Sequence, residues 1–154
     1  MPAVRIRKIN FDAQKIRLLK PEKPRKSDET VPLQLRSCRM RVSISVDGQR
    51  QWVRLDTGCS TGLQWVSSDV PDQCIHQIAI GLAQISIPQT TTTGEVGELK
   101  FENVPTGLHE KAIFPGEAGL LGNGVLSRFS TITIDAKAGR LILEQNRPIA
   151  SCGD

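Results

Sequence analysis

Residues 39–55, RMRVSISVDGQRQWVRL, contain two runs in which apolar and polar side chains alternate on either side of an Asp-Gly pair at 47–48. Alternation with a period of two is typical of β-strands with one buried face, and Asp-Gly between two such runs is a strong signal for a tight hairpin. The second run ends in Asp-Thr-Gly at 56–58. The sequence therefore predicts a hairpin whose second strand places an acidic residue at the start of a turn of small residues.

The rest of the chain favours an all-β fold. Residues 74–104 and 130–143 show further short apolar runs separated by Gly, Pro or Asp, and the second of these predicts a hairpin that turns at 136–139. Thirteen Gly and nine Pro among 154 residues fit a protein of many short strands and turns. Only residues 123–129 predict a helix. The length suits one domain with its own core.

Composition divides the chain into an N-terminal β segment at 1–19, a charged linker at 20–31 and a main lobe at 32–154. Residues 1–19 alternate apolar and charged side chains and predict a strand pair that turns near 12–15, with a helix as the alternative. Two Pro and many charges mark the linker. Residues 7–19 also echo residues 130–143, either by chance or because the chain contains a duplication. The first segment is thus an edge of this lobe or the tail of a preceding one.

The basic excess lies in the N-terminal part. Residues 1–41 hold 12 Lys and Arg against 4 Asp and Glu, whereas residues 42–154 hold 8 against 12. Nucleic-acid binding is disfavoured because Tyr is absent and Phe11 is the only aromatic residue before Trp52. The apolar runs are too short for a membrane span, and no signal peptide is recognisable. A cytoplasmic location follows if the chain is complete, and a periplasmic or secreted one if it is a fragment.

An acidic residue at the end of an apolar strand suggests catalysis by a pair of carboxyl groups. A buried carboxylate costs free energy unless it is paired or hydrogen-bonded. Two facing carboxyls share one proton, so that one activates a water molecule while the other protonates the oxygen of the substrate. At 56–58 the backbone N–H of Gly58 can bind the charged oxygen, and the Thr57 hydroxyl can brace the loop. The expectation is a buried Asp56 that faces a second aspartate.

Two motifs in order resemble those of pepsin- and retropepsin-type aspartic proteases. The first is VRLDTGCS at 53–60, and the second is GLLGNG at 119–124, which leads into VLSRF. The resemblance covers about residues 32–147. It implies a closed retropepsin-like acid-protease β-barrel lobe with one short helix after the Leu-Leu-Gly motif. It also implies that the second motif is a strand packed beneath the catalytic loop.

The resemblance assigns roles residue by residue. Asp56 matches the catalytic aspartate. Thr57 matches the residue that locks two catalytic loops together, and Gly58 matches the glycine that cradles the carboxylate. The residues that match the supporting strand are Leu120, Leu121 and Gly122.

Two features depart from the family pattern. Cys59 stands where Ser or Ala is usual, and a thiol is a weak hydrogen-bond donor. We interpret it as a small buried residue, with redox control as the alternative. The chain has four cysteines, Cys38, Cys59, Cys74 and Cys152, which can form two disulfides in three connectivities or remain free. The sequence contains no Cys-x-x-Cys pair, so a zinc site is not indicated. The region 75–97 is the candidate flap over the cleft, with its tip in Ala83–Gln89, but the pepsin-type flap tyrosine has no counterpart.

One lobe supplies one aspartate, so a second must come from elsewhere. A symmetric homodimer would bring together two copies of Asp56, and a missing second lobe of a longer protein would supply a different aspartate. The predicted function is an aspartic endopeptidase that hydrolyses peptide bonds with an activated water. The alternative is a non-catalytic peptide-binding or dimerisation module on the same fold. The expected partners are a peptide or protein substrate and the source of the second aspartate. No cofactor and no metal are expected.

Overall fold

The structure, a computed structural model, describes residues 6–19, 23–68, 75–80 and 83–145. Over these residues the chain is mostly β, with one short helix, which confirms the all-β part of the prediction. The strands are β1 (Ile6–Asn10), β2 (Lys15–Leu19), β3 (Glu29–Arg36), β4 (Arg39–Val46), β5 (Gln49–Leu55), β6 (Leu63–Val66), β7 (Ile75–Ile80), β8 (Ala83–Val96), β9 (Leu99–His109), β10 (Gly119–Leu121), β11 (Thr131–Asp135) and β12 (Arg140–Glu144). The helix is α1 (Asn123–Leu126). In this part of the chain no helix is long and apolar enough to cross a bilayer.

The strands form one sheet in the order β2-β1-β11-β12-β3-β4-β5-β10-β6-β9-β8-β7, and β4 also pairs with β8. The hairpin predicted around 47–48 is β4–β5, with Val46 opposite Gln49. The hairpin predicted to turn at 136–139 is β11–β12, in which Asp135 pairs with Arg140. Helix α1 is shorter than the predicted 123–129, because turns continue the chain after Leu126.

The core lies where the inward faces of the strands meet. In β4 the inward positions are Val42, Ile44 and Val46, which alternate with more exposed polar residues as the sequence pattern requires. β10 differs, since all three of its residues are buried. A strand that is buried on both faces reads as a continuous apolar run rather than an alternating one. The Leu-Leu motif is therefore a central strand.

The N-terminal hairpin belongs to the same sheet. β1 pairs antiparallel with β2, as the alternation at 1–19 predicts, and it also pairs antiparallel with β11. β3 begins at Glu29, inside the range predicted as linker, and its Val31 is buried in the core. The pattern at 29–33 was obscured because Pro32 and the charged Glu29 interrupt the apolar alternation. Residues 1–5 and 20–22 lie outside the described residues, and the division into segment, linker and lobe stays a prediction.

The candidate flap is the hairpin β7–β8. The pairing of its two strands extends from Ile75 opposite Pro88 to Ile80 opposite Ala83. The predicted tip at Ala83–Gln89 is wrong, because this range lies within β8. Ile85 and Ile87 favour strand conformation, and they continue the pairing with β7 up to Pro88.

Candidate active site

Strand β5 delivers Asp56 to the site. Val53 and Leu55 anchor the strand in the core, and Asp56 follows at its end. The backbone N–H of Asp56 donates to the carbonyl oxygen of Leu121 at 3.0 Å. The position of the acidic residue is therefore set by β10, which lies more than sixty residues further along the chain.

Strand β10 lies between β5, to which it is parallel, and β6, to which it is antiparallel. Leu121 pairs with Leu55 on one side and with Leu63 on the other. Leu120 and Leu121 are both buried. These contacts bring the two sequence motifs together in the arrangement that the resemblance implied, with the second motif beneath the first.

Glycine at the end of β10 allows a close approach between the second motif and the loop at 56–62. The Gly122 N–H donates to the carbonyl oxygen of Gly62 at 2.9 Å, and the Gly124 N–H donates to that of Thr61 at 3.0 Å. A Cβ at position 122 would clash with the Thr61 oxygen and would lie 2.9 Å from the Cys59 oxygen. A side chain at this position would therefore separate the two segments.

The carboxylate of Asp56 is bound within its own turn. The Gly58 N–H donates to Asp56 Oδ1 at 2.8 Å, as the sequence predicts. The expected burial is met only in part, since Asp56 is half-buried and both Thr57 and Gly58 are exposed. The reason is that β5 ends at Leu55 and the turn that follows projects beyond the core.

One side chain from the second motif braces the turn. Asn123 Nδ2 donates to the Thr57 carbonyl oxygen at 2.6 Å, and the Asn123 backbone N–H donates to the Cys59 oxygen at 2.8 Å. Asn123 Oδ1 is buried without a hydrogen-bond partner. Sequence analysis did not identify this residue. The signal available was an Asn directly after Leu-Leu-Gly, where an amide can bond to backbone groups.

Among the described residues, Asp56 takes part in no ion pair, and the Gly58 N–H is the hydrogen-bond donor to its carboxylate. The predicted second aspartate is thus not supplied by this part of the chain. The turn at 56–58 presents its exposed side outward, where another protein surface can approach it.

Behind the turn lies a chain of polar side chains that sequence analysis also missed. Cys59 Sγ and Thr61 Oγ1 are 2.9 Å apart, and Gln64 Nε2 donates to Thr61 Oγ1 at 2.9 Å. His109 Nε2 lies 2.7 Å from Gln64 Oε1, and because an amide oxygen only accepts, this nitrogen carries the proton. The signal for this network was Gln64 within the apolar run LQWV, because a polar residue in a buried strand requires partners.

Burial decides the electrostatics of this network. Desolvation lowers the pKa of His109 below its ordinary value, so the neutral imidazole is favoured. Cys59 is buried and free, as the small-residue interpretation predicts. The network joins the turn to β6 and β9 through neutral groups.

A charged pair links β5 to the segment that precedes β10. Arg54 Nε and Glu117 Oε2 are 2.8 Å apart, and the guanidinium of Arg54 lies 3.3 Å from the centre of the Phe114 ring. Glu117 is largely buried. Because one partner is shielded from solvent, the pair holds the segment before β10 against the strand that ends at Asp56.

Fold comparison places the chain with proteins of the retropepsin-like aspartic protease fold. A solved structure that it resembles is a retropepsin-like aspartic protease from Rickettsia conorii, with a TM-score of 0.54 and 17% sequence identity. The match covers 77% of this chain and 90% of that one. No protein-family model matches the sequence, and neither does any curated protein. At this identity the likeness establishes the fold and leaves the activity to be argued from the site.

Proposed function

We propose that the chain is one lobe of an aspartic endopeptidase, in which Asp56 and a second aspartate hydrolyse peptide bonds with an activated water. The observation that carries the proposal is the fixed position of Asp56 above β10. The Leu121 carbonyl holds its backbone, and the Gly58 N–H holds its carboxylate. A purely structural turn does not need a central buried strand beneath it or a half-buried carboxylate above it.

The chemistry follows from two carboxyls that share a proton. The ionised carboxyl takes a proton from water as the water oxygen attacks the carbonyl carbon of the peptide. The protonated carboxyl gives its proton to the carbonyl oxygen, so that no free oxyanion forms. When the C–N bond breaks, one carboxyl gives its proton to the nitrogen, which leaves as an amine, and a hydroxyl of the intermediate returns a proton to the other carboxylate as the C=O bond re-forms. The Gly58 N–H orients the Asp56 carboxyl by donating a hydrogen bond to its Oδ1.

The second aspartate comes from a homodimer partner or from another lobe. Thr57 is exposed at the top of the turn, and we assign its hydroxyl the role of bracing the opposing catalytic turn. Leu120, Leu121 and Gly122 support the turn from below. We further propose that the lobe is a closed barrel, for which the additional pairing of β4 with β8 is the support. The hairpin β7–β8 is the proposed flap over the substrate.

The test replaces the carboxyl group while keeping its shape. Asp56→Asn should abolish peptide cleavage and leave the unfolding transition unchanged, because Asn retains an oxygen that accepts from Gly58 N–H. The matched control is Asp47→Asn, the same change in the exposed turn between β4 and β5. It should cleave at the wild-type rate. Wild-type turnover by Asp56→Asn on any peptide would refute the catalytic assignment.

The alternative is a peptide-binding or dimerisation module without catalysis. It is favoured because, among the described residues, Asp56 has no second carboxylate as a hydrogen-bond partner, and because position 59 carries a thiol. The assembled protein would then bind peptides with equal affinity as wild type and as Asp56→Asn, and neither would cleave them. Binding measured by fluorescence anisotropy, beside the cleavage assay, separates the two functions.

A further inference from the structure

The two hairpins at opposite ends of the described chain match in size and lie side by side. Each has two five-residue strands joined by a short turn, at 11–14 in β1–β2 and at 136–139 in β11–β12. Their inner strands pair antiparallel, with Lys8 opposite Thr133. Lys8 and Thr133 are each the middle residue of their strand. A local two-fold axis through this pair therefore exchanges the two hairpins.

The residues that this two-fold axis makes equivalent differ in burial. The two-fold axis makes Ile16 of β2 equivalent to Leu141 of β12, and Leu18 equivalent to Leu143. In agreement, Ile16 pairs with Ile9 in one hairpin, and Leu141 pairs with Ile134 in the other. Leu141 and Leu143 are both 0% exposed, whereas Ile16 is 70% and Leu18 is 55% exposed. The two hairpins thus share an apolar pattern, but only β11–β12 is covered.

The exposed side chains continue the face that packs on the core. Residues paired across antiparallel strands point to the same face of a sheet. One row across the sheet is Ile16, Ile9, Ile132 and Leu143, in which the last two are fully buried and Ile9 packs against the core cluster. The apolar face therefore extends beyond this lobe as far as β2.

The outer edges of the two hairpins differ in the same way. Residues 140–143 of β12 pair with residues 29–32 of β3. β2 is the last strand of the sheet at this end, so none of the described residues pairs with its outer edge. An exposed strand edge beside apolar side chains is a surface that natural proteins normally cover. The two-fold axis exchanges β12 with β2, so it places a strand equivalent to β3 against the outer edge of β2.

We propose that β2 is the docking edge for a second lobe of the same fold that has no closing hairpin of its own. β1–β2 would serve as the closing hairpin of that lobe, and its first strand would pair with β2 as β3 pairs with β12. The body of the lobe would then cover Ile16 and Leu18. The inference deepens the proposed function, on which it rests for the acid-protease character of the partner.

A second copy of this chain does not satisfy these requirements. In a copy, residues 29–32 of β3 already pair with β12, and residues 33–36 pair with β4. The edge of β11 that a symmetric β11–β11 contact would need is occupied by β1. The arrangement left for two copies, β2 against β2, is an outcome that the experiment distinguishes.

The first measurement uses the chain as it is. Hydrogen exchange should show protected amides in β1 and fast exchange at the outward amides of β2. The double variant Ile16→Lys with Leu18→Lys should sediment like the wild type. A wild-type dimer that this double variant dissociates would show that the occupant is a second copy and would overturn the proposal. Fast exchange throughout β1 would overturn it as well, because the hairpin would then not sit on β11.

The second measurement supplies a second lobe. Residues 23–130 are joined directly to Ile6, so that β1–β2 follows the added lobe as β11–β12 follows α1. The outward amides of Lys15–Leu18 should exchange about 100-fold more slowly than in the single chain, as expected for a buried strand. In a control protein the added lobe keeps its own residues 131–145, and β2 should then exchange as in the single chain. A folded control beside unchanged exchange in the test protein would refute the proposal.

Docking and catalysis are measured separately, since exchange rates do not depend on cleavage. An extended protein that protects β2, contains both copies of Asp56 and cleaves no peptide would support the docking edge and contradict the proposed function. One that cleaves peptides while β2 stays unprotected would do the reverse. The double lysine variant placed in the extended protein should restore fast exchange at β2.

Discussion

Gly122→Ala tests whether the second motif passes directly beneath the turn at 56–58. The added Cβ would meet two backbone oxygens, those of Thr61 and Cys59. Both oxygens already accept hydrogen bonds, from the N–H groups of Gly124 and Asn123. Backbone cannot move aside as the end of a flexible side chain can, so the two segments must separate.

The expected loss of stability has two parts. Inserting a methyl group into a tightly packed site costs about 1–3 kcal/mol. Weakening two backbone hydrogen bonds costs about 1 kcal/mol each. We expect Gly122→Ala to lower the free energy of unfolding by about 3–5 kcal/mol in total. Because Asp56 is held by Leu121, the residue before Gly122, the same change should displace the turn at 56–58.

Urea unfolding followed by tryptophan fluorescence measures this loss, since Trp65 lies in the core. The control is Gly116→Ala, where a Cβ meets nothing within 4 Å but the backbone φ is +76°. That conformation alone costs about 1 kcal/mol for alanine. If Gly122→Ala is no more destabilising than Gly116→Ala, the close approach beneath the turn is wrong.

Three further predictions concern the same lobe. Leu121→Ala should lower the free energy of unfolding by about 2–5 kcal/mol, because Leu121 is fully buried; the exposed Leu35→Ala should change it by less than about 0.5 kcal/mol in the same urea titration. Burial lowers the pKa of His109, so the folded chain binds fewer protons than the unfolded chain, and stability should fall as the pH drops below 6.5. His109→Gln should remove that component, and equal pH slopes for variant and wild type would contradict it. Deleting residues 1–22 should leave a cooperative unfolding transition, since the buried core cluster begins at Val31; its loss would show that β1–β2 is indispensable to the lobe.

Local sequence patterns predicted the parts of this fold that neighbouring residues determine. The β4–β5 hairpin follows from alternation around Asp47 and Gly48, and the bond from Gly58 N–H to Asp56 follows from two residues in one turn. The strand at Gly119–Leu121 was predicted from its family motif, since three residues are too few for a periodicity. These features needed no knowledge of tertiary packing.

Contacts between distant segments were not predictable from the sequence. The bond from Asn123 to the Thr57 carbonyl joins residues that come together only after β10 has entered the sheet. Gln64 and His109 meet because β6 and β9 are parallel neighbours, a pairing that no local pattern indicates. The exposed fraction of Asp56 also depends on the protein surface that faces the turn at 56–58. The described part of the chain does not supply that surface.

As proposed, catalysis needs Asp56 and a second carboxyl that a single lobe lacks. The most direct measurement is the rate of peptide cleavage by the chain at acid pH over a wide range of concentrations, with its mass followed by sedimentation. The monomer should cleave no peptide, and cleavage should occur only where a second lobe or copy is bound and Asp56 is intact. A stable monomer that cleaves peptides with a specific activity independent of dilution would contradict it.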